Sequence, residues 1–186
     1  MKNLKRERPG KTEHYLNRAK VAAERSTCLR RKVGAVIIKN DAEVSSGYVG
    51  SPRDTENCID LGTCIRIEMG TPSGERYELC RSVHAEQNAI INAARTGASV
   101  LDGEMYISSE LIGSAYAENL KKMSQTNRPC ALCMKEILNA GITKVYMRDE
   151  LSGEIISYSP ADIKSWLDDE LKRLGGKGKK PRKSSK

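Results

Sequence analysis

Hydrophobic and polar positions switch between two periods along the 186-residue chain, and each switch marks an element. Residues 1–11 are charged and carry Pro9-Gly10, which predicts a flexible basic N-terminus. From Thr12 to Arg25, Leu16, Ala19, Ala22 and Ala23 recur at helical steps, so this stretch reads as a helix with a narrow apolar face. Val33-Gly34-Ala35-Val36-Ile37-Ile38 is β-rich, Lys39-Asn40-Asp41 is a turn, and Glu43 to Val49 is a second strand, which together predict a hairpin. Residues 50–80 carry Gly50, Pro52, Gly62, Gly70, Pro72 and Gly74 with little apolar periodicity. A loop of that length is uncommon unless it is functional or pinned.

Helical spacing returns over His84–Ala94, where Ala85, Ala89, Ile90, Ala93 and Ala94 share a face. Glu104–Ser108 reads as a third strand. Residues 109–128 hold a short helix candidate, Tyr116–Met123, and a polar run. Pro129–Asn139 is predicted as a helix started by proline and stopped at Gly141. Thr143–Arg148 follows as a strand, and a last helix starts with Ser159 as its cap and Pro160 as its first residue, running through Ile163, Trp166, Leu167 and Leu171. The order β-β-α-β-α-β-α lets helices cover both faces of a mixed sheet. One domain over 12–174 is expected, followed by a disordered basic tail over 175–186.

The net charge of +8 changes meaning once it is located. Residues 172–186 hold eight basic side chains and no acid, so the body is neutral. That is weak support for nucleic acid as a substrate, and nonspecific contact through the tail is the most the charge implies. No run of about 18 apolar residues exists, and no apolar stretch follows the first charges, so a soluble, cytoplasmic protein without a membrane partner is expected. In a reducing compartment the six cysteines are thiols or metal ligands rather than disulfides.

The candidate chemistry lies in two short stretches. His84 and Glu86 stand at the start of one predicted helix, and Cys130 and Cys133 stand three apart at the start of another, so the two thiols point the same way. One nitrogen and two sulfurs form a three-ligand zinc set with a fourth position left for water, which is the pattern of a catalytic metal. A helix N-terminus favours thiolates. A carboxylate beside the metal that does not bind it can carry protons from water to a ring nitrogen and a leaving amine, and Glu86 is placed for that role. The H-x-E and P-C-x-x-C pair is the zinc nucleobase deaminase signature.

With these motifs stand Ser26–Val36, Gly47–Arg53, Cys58 with Gly62–Arg66, Ser73–Arg76 with Cys80, Val83–Ile90 and Pro129–Ile142. Together they resemble the deoxycytidylate deaminases of the cytidine/deoxycytidylate deaminase superfamily, in the branch that includes the late-competence proteins. The resemblance implies a three-layer α/β/α fold with a mixed sheet of about five strands. It implies hydrolysis of dCMP to dUMP and ammonia for thymidylate synthesis, a catalytic Zn2+, homo-oligomers that are often hexamers, and effector control by dCTP with Mg2+ and by dTTP. Two departures stand out: Val49 replaces the usual Asn of a Gly-x-Asn-Gly turn, and Ser109–Arg128 is inserted before the Pro-Cys pair.

Other candidates keep two readings each. Cys28, Cys58, Cys64 and Cys80 are either four unrelated thiols or the ligands of a second, structural zinc that pins the 50–80 loop. Arg30 and Arg53 either grip the 5′-phosphate or are solvated surface arginines. Tyr48 either touches the base or packs within its strand. Asn88 reads as a partner for local backbone and His14 as a surface residue. The rival functions are deamination of another cytosine or adenine substrate, whether a free nucleoside, cytosine or RNA, and a non-catalytic nucleotide-sensing or DNA-uptake accessory role on the same fold.

Overall fold

The computed structural model describes residues 7–72, 75–112, 128–149 and 152–175. The candidate helix Tyr116–Met123, most of the 109–128 insertion, and the tail beyond Gly175 lie outside the described residues. Five strands form one sheet in the order β2-β1-β3-β4-β5: β1 Arg31–Lys39, β2 Ala42–Tyr48, β3 Glu104–Leu111, β4 Lys144–Arg148 and β5 Ile155–Tyr158. β3 and β4 run parallel and every other neighbouring pair is antiparallel, so the sheet is mixed as expected. β1 runs beside both β2 and β3, and Ala35, Val36, Ile37 and Ile38 are all buried there. An apolar run without alternation is what a strand covered on both faces requires.

The hairpin turns at Asn40 and Asp41, both with positive φ (50° and 63°), a conformation that short polar side chains tolerate and that matches the strand twist. Helix α1, Lys11–Ala23, lies on one face, with Leu16 and Ala19 buried against Val36, Ile38 and Tyr106 and Ala23 buried beside Gly34. It lies so close that a Cβ on Gly34 would fall 2.2 Å from the Ala19 carbonyl oxygen. On the other face, α4 (Ala85–Thr96), α5 (Ala131–Asn139) and α6 (Pro160–Gly175) cover Ala35, Ile37, Met105, Ile107, Val145 and Met147.

Three parts differ from the sequence reading. Residues 50–80 are not plain loop: they contain two single-turn helices, α2 Cys58–Leu61 and α3 Ile65–Glu68, and a 3-10 turn at Tyr77–Leu79. Elements of four residues are too short to show a period and are held by their ends, as where the Asn57 side chain and backbone meet Asp60. β5 was not expected; it is a four-residue edge strand whose inward Ile156 and Tyr158 pair with Met147 and Val145. Helix α5 begins at Ala131, so Cys130 is its cap and Pro129 lies outside it. The last helix begins as expected, with the Ser159 hydroxyl accepting from Asp162 N–H and the Asp162 carboxylate accepting from Ser159 N–H.

Candidate active site

Sequence-distant residues meet because two helices begin beside the same strands. Val83 and Gly50 exchange two backbone hydrogen bonds at 2.8 and 3.2 Å, which ties the residue before His84 to the end of β2. Helix α4 then runs against β2 so closely that a Cβ on Gly47 would lie 2.3 Å from Ala89 N and 2.5 Å from Ala85 O. Substituting any larger residue must push the helix away, a change that costs about 1–3 kcal/mol or more. Three side chains fasten the pair: Ser45 Oγ donates to Ala89 O, Asn88 Nδ2 to Tyr48 O, and Asn92 Nδ2 to Ser46 O. Asn88 is thus a partner for backbone.

His84 caps α4 and Cys130 caps α5. His84 Nδ1 lies 3.3 Å from Cys130 Sγ and 3.4 Å from Cys133 Sγ. A tetrahedral zinc about 2.3 Å from sulfur and about 2.1 Å from nitrogen separates such atoms by roughly 3.6 Å, so the donor set fits that ion in both chemistry and spacing. Among the described residues this is the group of His, Cys, Asp and Glu side chains whose ligand atoms lie within 4.8 Å of one another. One further bond joins the two helices: Gln87 Nε2 donates to Glu136 Oε1 at 2.7 Å while Gln87 Oε1 accepts from His84 N–H at 3.0 Å. Position N3 of a helix is where a residue that reaches back to the cap is expected, yet Gln87 and Glu136 drew no attention in the sequence.

The electrostatics suit a metal trio. Burial pulls the His84 imidazole down, but the Cys130 and Cys80 thiols outweigh it and push it up to about 11. A hydrogen bond from Cys133 draws Cys130 down to about 4, His84 adding to the effect, and the same contact raises Cys133. Glu86, fully enclosed, is pushed above the usual carboxylate range by burial, with His84 pulling it the other way.

A cavity of about 480 Å³ opens over this group. His84, Glu86, Cys130, Arg30 and Val49 line it, so the side chain at position 49 presents an apolar surface to the cavity. Cys28, Cys58, Cys64 and Cys80 also line it, and the three others each push the Cys58 thiol up, after burial. They do not form a second group within 4.8 Å. Arg53 instead donates to Asn92 Oδ1 at 3.2 Å on the exposed side of α4, and His14 is exposed on α1. Tyr48 ends β2, half-buried, its carbonyl held by Asn88. The sequence reading gave no role to Arg66 or Tyr77, which line the same cavity; Tyr77 packs edge-on against His84 with ring centres 5.3 Å apart.

Residues 9–148 match the model of the cytidine and deoxycytidylate deaminase zinc-binding region, three-quarters of the chain. The chain belongs to the cytidine and deoxycytidylate deaminase family. Within that family it is 33% identical over 143 residues to the deoxycytidylate deaminase of Mycobacterium phage D29, covering 74% of this chain and 94% of the relative. It is 27% identical over 173 residues to the deoxycytidylate deaminase of Schizosaccharomyces pombe, covering 90% of this chain and 48% of the relative. The chain therefore spans about half the length of that yeast relative. Among solved structures it is similar to the dCMP deaminase of cyanophage S-TIM5 in complex with dCMP and dUMP, with a TM-score of 0.54, 26% identity, and coverage of 89% of this chain and 95% of that one. The family's zinc-binding region and the His84, Cys130 and Cys133 group agree on a zinc site. Among the described residues no helix is long and apolar enough to cross a membrane.

Proposed function

We propose that the protein hydrolyses dCMP to dUMP and ammonia and so feeds thymidylate synthesis. The observation that carries this reading is a buried carboxylate, Glu86, two residues from one member of a zinc-compatible trio and on the wall of the same cavity. The likeness to an enzyme solved with dCMP and dUMP supports the choice of nucleotide.

His84, Cys130 and Cys133 would hold the ion, which when bound would supply the Lewis acidity that makes water nucleophilic near neutral pH. Glu86 does the proton work: it takes one proton from the attacking water and passes it to the ring nitrogen beside C4. It then takes the second from the new C4 hydroxyl and gives it to the amino group, which leaves as ammonia as the C4–N bond breaks. The water oxygen becomes the C4 carbonyl oxygen. Burial suits Glu86 to this task, because a carboxyl held above its usual range keeps a proton closer to neutral pH. Arg30, on the cavity wall, adds positive charge near the nucleotide, and Arg30, Tyr48 and Arg53 remain nucleotide contacts to be tested by substitution.

The same reading extends to a cytoplasmic homo-oligomer, hexameric in its fullest form, that answers to dCTP with Mg2+ and to dTTP. It also includes a second, structural zinc on Cys28, Cys58, Cys64 and Cys80, supported by the position of all four thiols on one cavity wall. Ammonia release from dCMP, cytidine, cytosine and a tRNA, measured side by side, tests the substrate; activity confined to any of the last three would remove dCMP from the proposal. Metal content of the purified protein tests the second ion: about two zinc per chain is expected, and one would restrict the metal to the trio.

A further inference from the structure

The side chain of Arg66 is buried, 6% exposed, and among the described residues no carboxylate pairs with it. Its Nη2 donates to the carbonyl oxygens of Pro72 at 3.1 Å and Glu75 at 2.6 Å, and its guanidinium carbon stands 4.9 Å from the centre of the Tyr77 ring. Its Nε is buried with no acceptor among the described residues. Two neutral carbonyls and a ring face orient a guanidinium without neutralising it, and a buried charge left uncompensated is strongly unfavourable unless something anionic arrives. The Glu75 carboxylate is engaged elsewhere, 3.6 Å from Arg173.

Position suggests what arrives. Arg66 lines the cavity that His84, Glu86 and Cys130 line. Tyr77 stands between the two, its ring centre 4.9 Å from the Arg66 guanidinium carbon and 5.3 Å from the His84 ring centre, so Arg66 lies one side chain removed from the metal trio. A planar fork already aimed by two fixed acceptors is also the group best suited to a phosphate.

The geometry points to Arg66 as the anchor of the substrate's 5′-phosphate, and hence as the residue that makes the enzyme choose a nucleotide over a nucleoside. This rests on the dCMP reading above and adds to it a specificity-determining residue. The main rival is that the thiolates of Cys28, Cys58, Cys64 and Cys80, loaded with zinc, supply the missing negative charge and that Arg66 serves only to hold the 50–80 segment.

The test compares kcat/KM for dCMP with kcat/KM for deoxycytidine in the zinc-loaded wild type, Arg66→Gln and Arg66→Lys, with zinc content measured on each. Taking the ratio within one protein removes any general loss of folded enzyme. Expected is a fall of roughly a hundredfold on dCMP in Arg66→Gln with deoxycytidine changed by less than about threefold, and a partial fall in Arg66→Lys, which keeps the charge without the fork. Where glutamine does not give soluble protein, the lysine variant reads the same ratio. A parallel fall on both substrates, or an unchanged ratio with one zinc lost per chain, would overturn the assignment and leave dCMP deamination standing. Wild-type protein inert toward dCMP would overturn both.

Discussion

Two sets of cysteines lie at one cavity, and among the described residues only Cys130 and Cys133 close with His84 into a group whose ligand atoms all lie within 4.8 Å of one another, although Cys80 also bonds to that imidazole. Cys130 and Cys133 are delivered by the first turn of a nine-residue helix that packs on a parallel strand pair, so their separation is fixed by helix geometry and their depth by the sheet. Cys28, Cys58, Cys64 and Cys80 hang on the approach to β1 and on single-turn helices, where no regular element sets the spacing. The difference teaches that ligands carried by a long element are positioned by its geometry, whereas ligands on single-turn elements depend on caps, neighbours or a bound ion to hold their spacing.

The harshest way to break the comparison is Cys133→Ala, which removes a ligand that is fully buried. Zinc should be lost on dialysis and turnover should drop to background, as read by metal analysis and ammonia release; Cys64→Ser should leave the trio's zinc and most of the rate. If both substitutions act alike, the two sets are one site and the contrast fails. Glu86→Gln should keep full zinc content while kcat falls by about 10²–10⁴-fold, the range for a lost acid-base group. Full activity in that variant would remove the carboxylate from the reaction.

A milder probe uses protons. In the metal-free protein His84 is raised to about 11 and Cys133 lies above its usual range, so both hold protons near pH 7 that zinc must displace, whereas Cys130, lowered to about 4, holds none. Competing protons weaken binding at low pH, so zinc affinity should climb with pH by about two logarithmic units per unit between pH 6 and 8. Calorimetry in buffers of different ionisation enthalpy would show about two protons released; none released would contradict the arrangement. The smallest expected effect belongs to Gln87→Ala, which removes the bond to His84 N–H and strands Glu136. Loss of such a cap costs about 0.5–2 kcal/mol, visible as a lower midpoint in urea with an unchanged slope.

The contrast also separates what the sequence could reveal from what it could not. β1 to β4, α4 and α5 were legible because each is long enough to complete a period, and the ligand trio was legible because metal chemistry restricts both residue type and spacing. The turns within residues 50–80 were not, since a four-residue helix contributes one intrahelical bond or so and depends on caps and neighbours for the rest. β5 was hidden for the same reason, being a short edge strand with two inward side chains. Arg66 was hidden differently: a lone arginine in a polar, glycine-bearing stretch reads as solvated, and only the tertiary placement of Pro72, Glu75 and Tyr77 makes it a buried cation. Val49 was noticed as a departure, and the fold adds that it is buried on the cavity wall.

The Gln87–Glu136 link has a consequence for how the protein matures. Because the two helices that carry the ligands are already stapled to each other by side chains, and each is seated on the sheet, the coordinating atoms are assembled by folding itself. Metal can then be inserted as the last event into a finished receptacle, unlike zinc fingers, whose shape exists only once the ion is present. Loss of the trio's zinc alone should therefore silence the protein while leaving the circular dichroism of its sheet and long helices intact, and adding zinc back should revive it without a refolding step.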